Sequence, residues 1–159
     1  MTADAIRIRP ATPKDLDTIV EFNLSLASET EGKALDRPVL RAGVEAALAD
    51  ASRAQYFLAE VDGEVVGQTM FTTEWSDWRN GTFWWIQSVY IAADHRGQGV
   101  FRALYGHIRE LAKREPDVCG IRLYVDNDNH RAIKTYRRLG MELTDYLICE
   151  EFWPTTAES

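Results

Sequence analysis

An arginine and two glycines spaced by one residue, Arg96-Gly97-Gln98-Gly99, stand at the mouth of an amphipathic segment. That segment carries Phe101, Leu104, Ile108 and Leu111 at spacings of three and four, the period of a helix face. A strand-to-helix turn needs glycine to bend, and that alone would explain the pair. The other explanation is chemical. The first N–H groups of a helix have no partner within it, and glycine lets an anion approach them. A Walker loop would place Lys-Ser or Lys-Thr after the glycines, where Val100-Phe101 stand. A dinucleotide fingerprint would place a third glycine at 102, where Arg102 stands. What remains is a pyrophosphate cradled by the N–H groups of residues 97 to 101. Further on, NHRAIKTYRRLGM offers Asn129 at a helix start and Tyr136 two turns later. On spacing alone, Tyr136 reads as a core tyrosine packed on the sheet.

The elements that position these residues are legible in outline. IRIRPAT alternates and predicts a first strand ended by Pro10. Thr12-Pro13 marks a helix start, followed by an apolar face of Leu16, Ile19, Val20, Leu24 and Ala27. After the polar break SETEGKALDR, Pro38 opens a second helix carrying Leu40, Val44, Ala47 and Leu48. QYFLAEV and EVVGQTMFTTEW are strands joined by Asp62-Gly63, and Asn80-Gly81 turns the chain into TFWWIQSVYIA. That long apolar strand feeds the glycine turn and its helix, which runs to about Lys113. CGIRLYV is the next strand, residues 129–140 form a short helix closed by Gly140, and MELTDYLICEEFW reads as a closing strand. The order β α α β β β α β α β predicts a mixed α/β (α+β) sheet, partly antiparallel, in one domain over 1–153 with a flexible tail over 154–159.

Composition narrows the function classes. A formal charge of −7 over 159 residues argues against nucleic acid as the main partner, because such binders carry basic faces. No apolar run approaches the roughly 20 residues that span a bilayer, and the N-terminus lacks a signal-peptide core, so no membrane role and a cytoplasmic location are expected. Cys119 and Cys149 form no CxxC pair and are expected to be reduced and buried. His95, His107 and His130 share no metal-ligand spacing, so no metal is expected.

At these residues the chain resembles the GNAT superfamily of acetyl-CoA-dependent N-acetyltransferases. The family's glycine motif maps onto Arg96, Gly97, Gln98, Gly99, Val100 and Phe101, with Phe101 where the family has a small residue. Its downstream Asn, Ala, Tyr and Leu-Gly map onto Asn129, Ala132, Tyr136, Leu139 and Gly140. The element order agrees from Ile6 to about Trp153. The resemblance implies a single sheet of six to seven mostly antiparallel strands with a central splay and helices on both faces. It also implies acetyl-CoA as acyl donor and an amine of a small molecule or peptide as acceptor, with a homodimer in prospect.

The same resemblance distributes the roles. The pantetheine arm would lie along Val89, Tyr90 and Ile91. The polar pair Gln87-Ser88 interrupts an apolar run and fits a bulge that turns the Val89 N–H toward the thioester carbonyl; a solvent-facing pair is the plainer alternative. Tyr136 would protonate the leaving thiolate, and Asn129 would bond the pantetheine or cap its helix. Something must also take a proton from the amine, and among Glu29, Glu31, Glu74, Asp77 and Gln87 the family's acceptor position favours Glu29. Trp75, Trp78, Trp84 and Trp85 either wall a pocket or belong to core and contact surface. Two rival functions stand beside catalysis: a non-catalytic acyl-CoA sensing module on the same fold, and a protein-interaction domain built on the Trp-rich hairpin.

Overall fold

The computed structural model describes residues 6–154, which fall into two compact units, 6–123 and from Tyr124 onward. The first holds a five-stranded sheet in the order β1-β2-β3-β4-β5: β1 Ile6–Pro10, β2 Gln55–Val61, β3 Glu64–Ser76, β4 Gly81–Ile91 and β5 Val118–Leu123. The first four strands pair antiparallel, whereas β5 lies parallel to β4. A parallel neighbour needs a crossover, and helix α3, Val100–Arg114, supplies it.

Helices cover both faces of this sheet. Ile19 and Val20 of α1 (Leu16–Glu31) and Val44 of α2 (Arg37–Ala49) bury with Tyr56 and Leu58 of β2. Phe57 between them points the other way, with its ring 5.4 Å from His107 of α3. On that second face Phe57, Phe71 and Trp84 stack in series, the last two with centroids 3.9 Å apart. Leu104 and Ile108 of α3 are fully buried, as the helical spacing predicts. Fully burying one such side chain contributes about 1.5–3 kcal/mol.

The entry to α1 is tied by charge. Pro13–Asp15 forms a short 3-10 turn, and the Asp15 carboxylate accepts from the Thr12 N–H at 2.7 Å. Both its oxygens also accept from Arg9 at 2.9 Å, and Arg9 reaches Glu60 at 2.8 Å. The Arg9 bonds hold the Asp15 carboxyl below the usual carboxylate range. Asp15→Ala is expected to destabilise the protein by about 1–3 kcal/mol in urea unfolding at neutral pH, because it leaves the Thr12 N–H and two nitrogens of the half-buried Arg9 guanidinium unpaired, with Glu60 still on the third. A depressed carboxyl stabilises above its unfolded value and loses that contribution as pH falls through its folded value. The difference between the two proteins should therefore close only in acid.

Several expectations are corrected. Among the described residues the sheet has five strands, not six or seven. MELTDYLICEEFW forms no strand; Leu143, Tyr146, Leu147, Ile148, Phe152 and Trp153 of this segment are exposed. Its residues fit a pleated surface by type, but a strand exists only where a neighbour takes its hydrogen bonds. Cys119 and Cys149 are exposed rather than buried, Cys119 because β5 is an edge strand. The expected tail lies, from residue 155, outside the described residues. No helix among the described residues is long and apolar enough to cross a membrane.

Candidate active site

The strand that leads into the glycine turn is bulged. Met70 of β3 pairs with Gln87, yet Gln68 pairs with Tyr90, so Ser88 and Val89 together oppose Thr69. Ser88 takes φ +54°, in the left-handed region that a non-glycine residue rarely enters. The extra residue inverts the facing of everything after it. Tyr90 therefore turns toward α1, where its ring meets Phe22 at 5.2 Å. Pairing with β5 runs only to Ile86, opposite Leu123, while β4 continues to Ile91.

Beyond β4 the chain makes a 3-10 turn, Ala93–His95, and then the glycine motif. Gly97 and Gly99 adopt φ +74° and +84°. A Cβ on either would meet no atom within 4 Å, so backbone conformation and open approach, not packing, call for glycine here. Gly99 is the N-cap of α3, and no side chain caps that helix start. Val100 is buried, packed where Gly67 lets β3 come close. Phe101 lies half-buried on the helix flank beside Tyr105, so its bulk is set along the helix. Gln98 donates from its side chain to the Asp94 carbonyl at 3.2 Å, bracing the turn.

Arg96 ties this turn to α1. Its Nε donates to the Ile91 carbonyl at 2.8 Å and its terminal Nη2 to Glu29 at 2.7 Å. The Tyr90 hydroxyl donates to the second Glu29 oxygen, also at 2.7 Å. These bonds, Tyr90 first and Arg96 next, hold the Glu29 carboxyl below its ordinary range. Burial and the Glu29 bond push the Tyr90 hydroxyl up. Sequence reasoning joined Val89 through Phe101; it did not anticipate that Glu29, far off in the chain, closes a triangle with Tyr90 and Arg96.

The other predicted residues lie in the second unit, on α4, His130–Arg138. Asn129 caps it, its side chain accepting from the Ala132 N–H at 3.1 Å. Gly140 closes it at φ +96°. Burial pushes the Tyr136 hydroxyl above its ordinary value, which keeps it protonated. Of the remaining base candidates, Glu74 pairs with Arg122 at 2.9 Å and Gln87 donates to Thr72 Oγ1 at 2.7 Å. The tryptophans divide: Trp84 belongs to the core, while Trp75 and Trp78 are exposed. No cluster among the described residues could hold a metal ion.

A model of the acetyltransferase (GNAT) family matches residues 21–141, a span from α1 through the bulge and the glycine turn to the end of α4. The chain belongs to the GNAT acetyltransferase family. A solved structure of a possible acetyltransferase from Clostridium difficile 630 is 45% identical, with a TM-score of 0.88 over 95% of this chain and 99% of that one. A predicted acetyltransferase from Clostridium acetobutylicum, solved with acetyl-CoA, shares the fold at a TM-score of 0.76 and 18% identity, over 92% and 96% of the two chains. The streptothricin acetyltransferase of Streptomyces lavendulae is 32% identical over 57% of this chain and 46% of its own length. The chain spans less than half the length of the curated relatives it matches.

Family membership sharpens which buried residues were overlooked. Asn23, Gln68 and Thr69 are buried polar side chains gathered beneath the bulge. The signal was present: Asn23 sits four residues from both Ile19 and Ala27, on the apolar face of α1. Gln68 and Thr69 interrupt an apolar strand just as Gln87 and Ser88 do.

Proposed function

We propose that this protein transfers an acetyl group from acetyl-CoA to a primary amine by direct attack, without an acyl-enzyme. The observation that carries the reading is the conjunction of a bulged β4 with an uncapped helix start made of two left-handed glycines. The diphosphate lies on the N–H groups of residues 97 to 101, where the helix dipole adds roughly 0.3–1 kcal/mol, and up to about 2 when partly buried. The pantetheine arm runs along Val89 to Ile91, whose far edge β5 does not reach. The Val89 N–H polarises the thioester carbonyl, a contribution of about 10²–10³ in rate.

The neutral amine forms a C–N bond to the carbonyl carbon. The C–S bond then breaks, and the thiolate takes the Tyr136 proton. Asn129 and Ala132 shape the start of the helix that carries Tyr136. Glu29 stands at the Val89–Ile91 end of β4, bonded to Tyr90 and Arg96. Both its oxygens are engaged and its carboxyl is held acidic, which suits it poorly to strip a proton from the amine. Water then carries away the amine's proton.

The test mixes protein, acetyl-CoA and a panel of amines with a free-thiol readout. Polyamines, amino acids, aminoglycosides and peptide N-termini make up the panel. Amine-dependent thiol release with at least one class is the expected result. Tight coenzyme A binding with no release for any amine would replace the enzyme by an acyl-CoA sensor.

A further inference from the structure

The bulge is the most strained element of the site, and buried polar groups grip it. Ser88 holds a left-handed conformation without being glycine. Such a residue persists only where its surroundings determine it several times over. Gln68, fully buried, donates from Nε2 to the Ser88 carbonyl at 3.1 Å and to Asn23 Oδ1 at 3.3 Å. Thr69, also fully buried, donates from Oγ1 to the Gln87 carbonyl at 3.2 Å. Gln68 and Thr69 are successive residues of β3, so they reach the bulge from opposite faces of the sheet. Asn23 is itself fixed, donating to the Ile19 carbonyl at 3.1 Å.

Packing does not account for this arrangement. A buried amide costs more than an aliphatic side chain of equal size unless its bonds repay it. Gln68 repays only half: its Oε1 is buried and has no protein partner among the described residues. The bonds that are made all go to the bulge or to the residue that braces Gln68. The bulge sets where the next N–H, that of Val89, points.

We propose that Gln68 and Thr69 are positioning residues of the acetyl transfer: they clamp the Gln87 and Ser88 carbonyls from the two faces of the sheet and so aim the Val89 N–H at the acyl carbonyl. The inference rests on the acetyl-transfer reading above. A small error of aim suffices for a large effect, since about 1 Å of misplacement can cost on the order of a hundredfold.

The experiment compares wild type with Gln68→Met, which keeps volume and removes the donor, and with Thr69→Val, which keeps shape and removes the hydroxyl. Three quantities are read: kcat, the affinity for coenzyme A without an acyl group, and the infrared stretch of bound acetyl-CoA labelled with ¹³C at the carbonyl. Wild type should lower the carbonyl frequency on binding. Gln68→Met should lose most of that shift and at least about tenfold in kcat, with a smaller change in coenzyme A affinity. Thr69→Val should move the same way by less, and it carries the test if Gln68→Met does not fold. Val44→Ala, in the α2 core, serves as the control for lost stability. It should keep both the frequency and kcat.

Wild-type kcat and frequency in the folded variants would overturn the proposal, as would an equal loss of kcat in Val44→Ala. If wild type binds no acetyl-CoA, the acetyl-transfer reading itself falls and this inference with it. That result differs from wild-type turnover that is indifferent to Gln68 and Thr69.

Discussion

Gly99→Val is expected to weaken coenzyme A binding by roughly ten- to a hundredfold while leaving the protein folded. Gly99 sits at φ +84° at the start of α3, and a Cβ there touches nothing within 4 Å. No clash within the protein opposes the substitution. The backbone does, because a left-handed conformation costs an L-residue about 1–2 kcal/mol, and more for a β-branched one. Relief comes by rotating the peptide, which takes the N–H groups of Val100 and Phe101 out of line with the diphosphate. The valine methyls then occupy the open space through which an anion would approach. Each 1.4 kcal/mol is about tenfold in affinity, so strain and obstruction together reach the stated range. Titration calorimetry with coenzyme A measures it, and a Kd within twofold of wild type would remove the glycine turn from the donor site. Gly67 is the instructive contrast. A Cβ there would lie 2.9 Å from Ile91 Cδ1 and 3.0 Å from Val100 Cγ1, so that glycine answers to packing and its replacement should act on stability first.

Gly97 and Gly99 show why this part of the candidate site is legible in the sequence. A glycine pair flanked by a long apolar strand and an amphipathic helix leaves few conformations open, since only glycine enters the left-handed region freely. The bulge is legible for a related reason: Gln87-Ser88 breaks a run of strand-forming apolar residues, and the register shift falls there. Contacts whose partners lie far apart in the chain are not legible in this way. Nothing local in Glu29 points to Arg96 and Tyr90, and Asn23 on an apolar helix face does not name Gln68 as its partner. Alternation predicts that a side chain is turned inward but not what it meets there. The segment after Gly140 fails in the opposite direction. Its residue types satisfy strand propensity, but propensity describes a fit to a neighbour and does not create one.

Tyr136→Phe should lower kcat by about a hundredfold or more, the usual contribution of a positioned general acid, with little change in coenzyme A affinity. The hydroxyl is the only group removed, so the helix that carries it, capped by Asn129 and closed by Gly140, keeps its form. Burial raises the Tyr136 pKa above its ordinary value of about 10. A general acid acts in its neutral form, so the raised value would keep Tyr136 competent in the proposed role through neutral and moderately alkaline pH. Wild-type kcat should therefore show no alkaline decline from loss of this acid until beyond that ordinary value. Meanwhile kcat/KM should climb with pH as the amine sheds its proton. In Tyr136→Phe the climb should persist, because it belongs to the acceptor, while kcat stays low at every pH. Proton donation by water should then appear as partial rescue by acidic buffer components. A variant with wild-type kcat across the range would take the proton delivery away from Tyr136 and leave it to solvent, since the side chain's remaining atoms carry no proton to give.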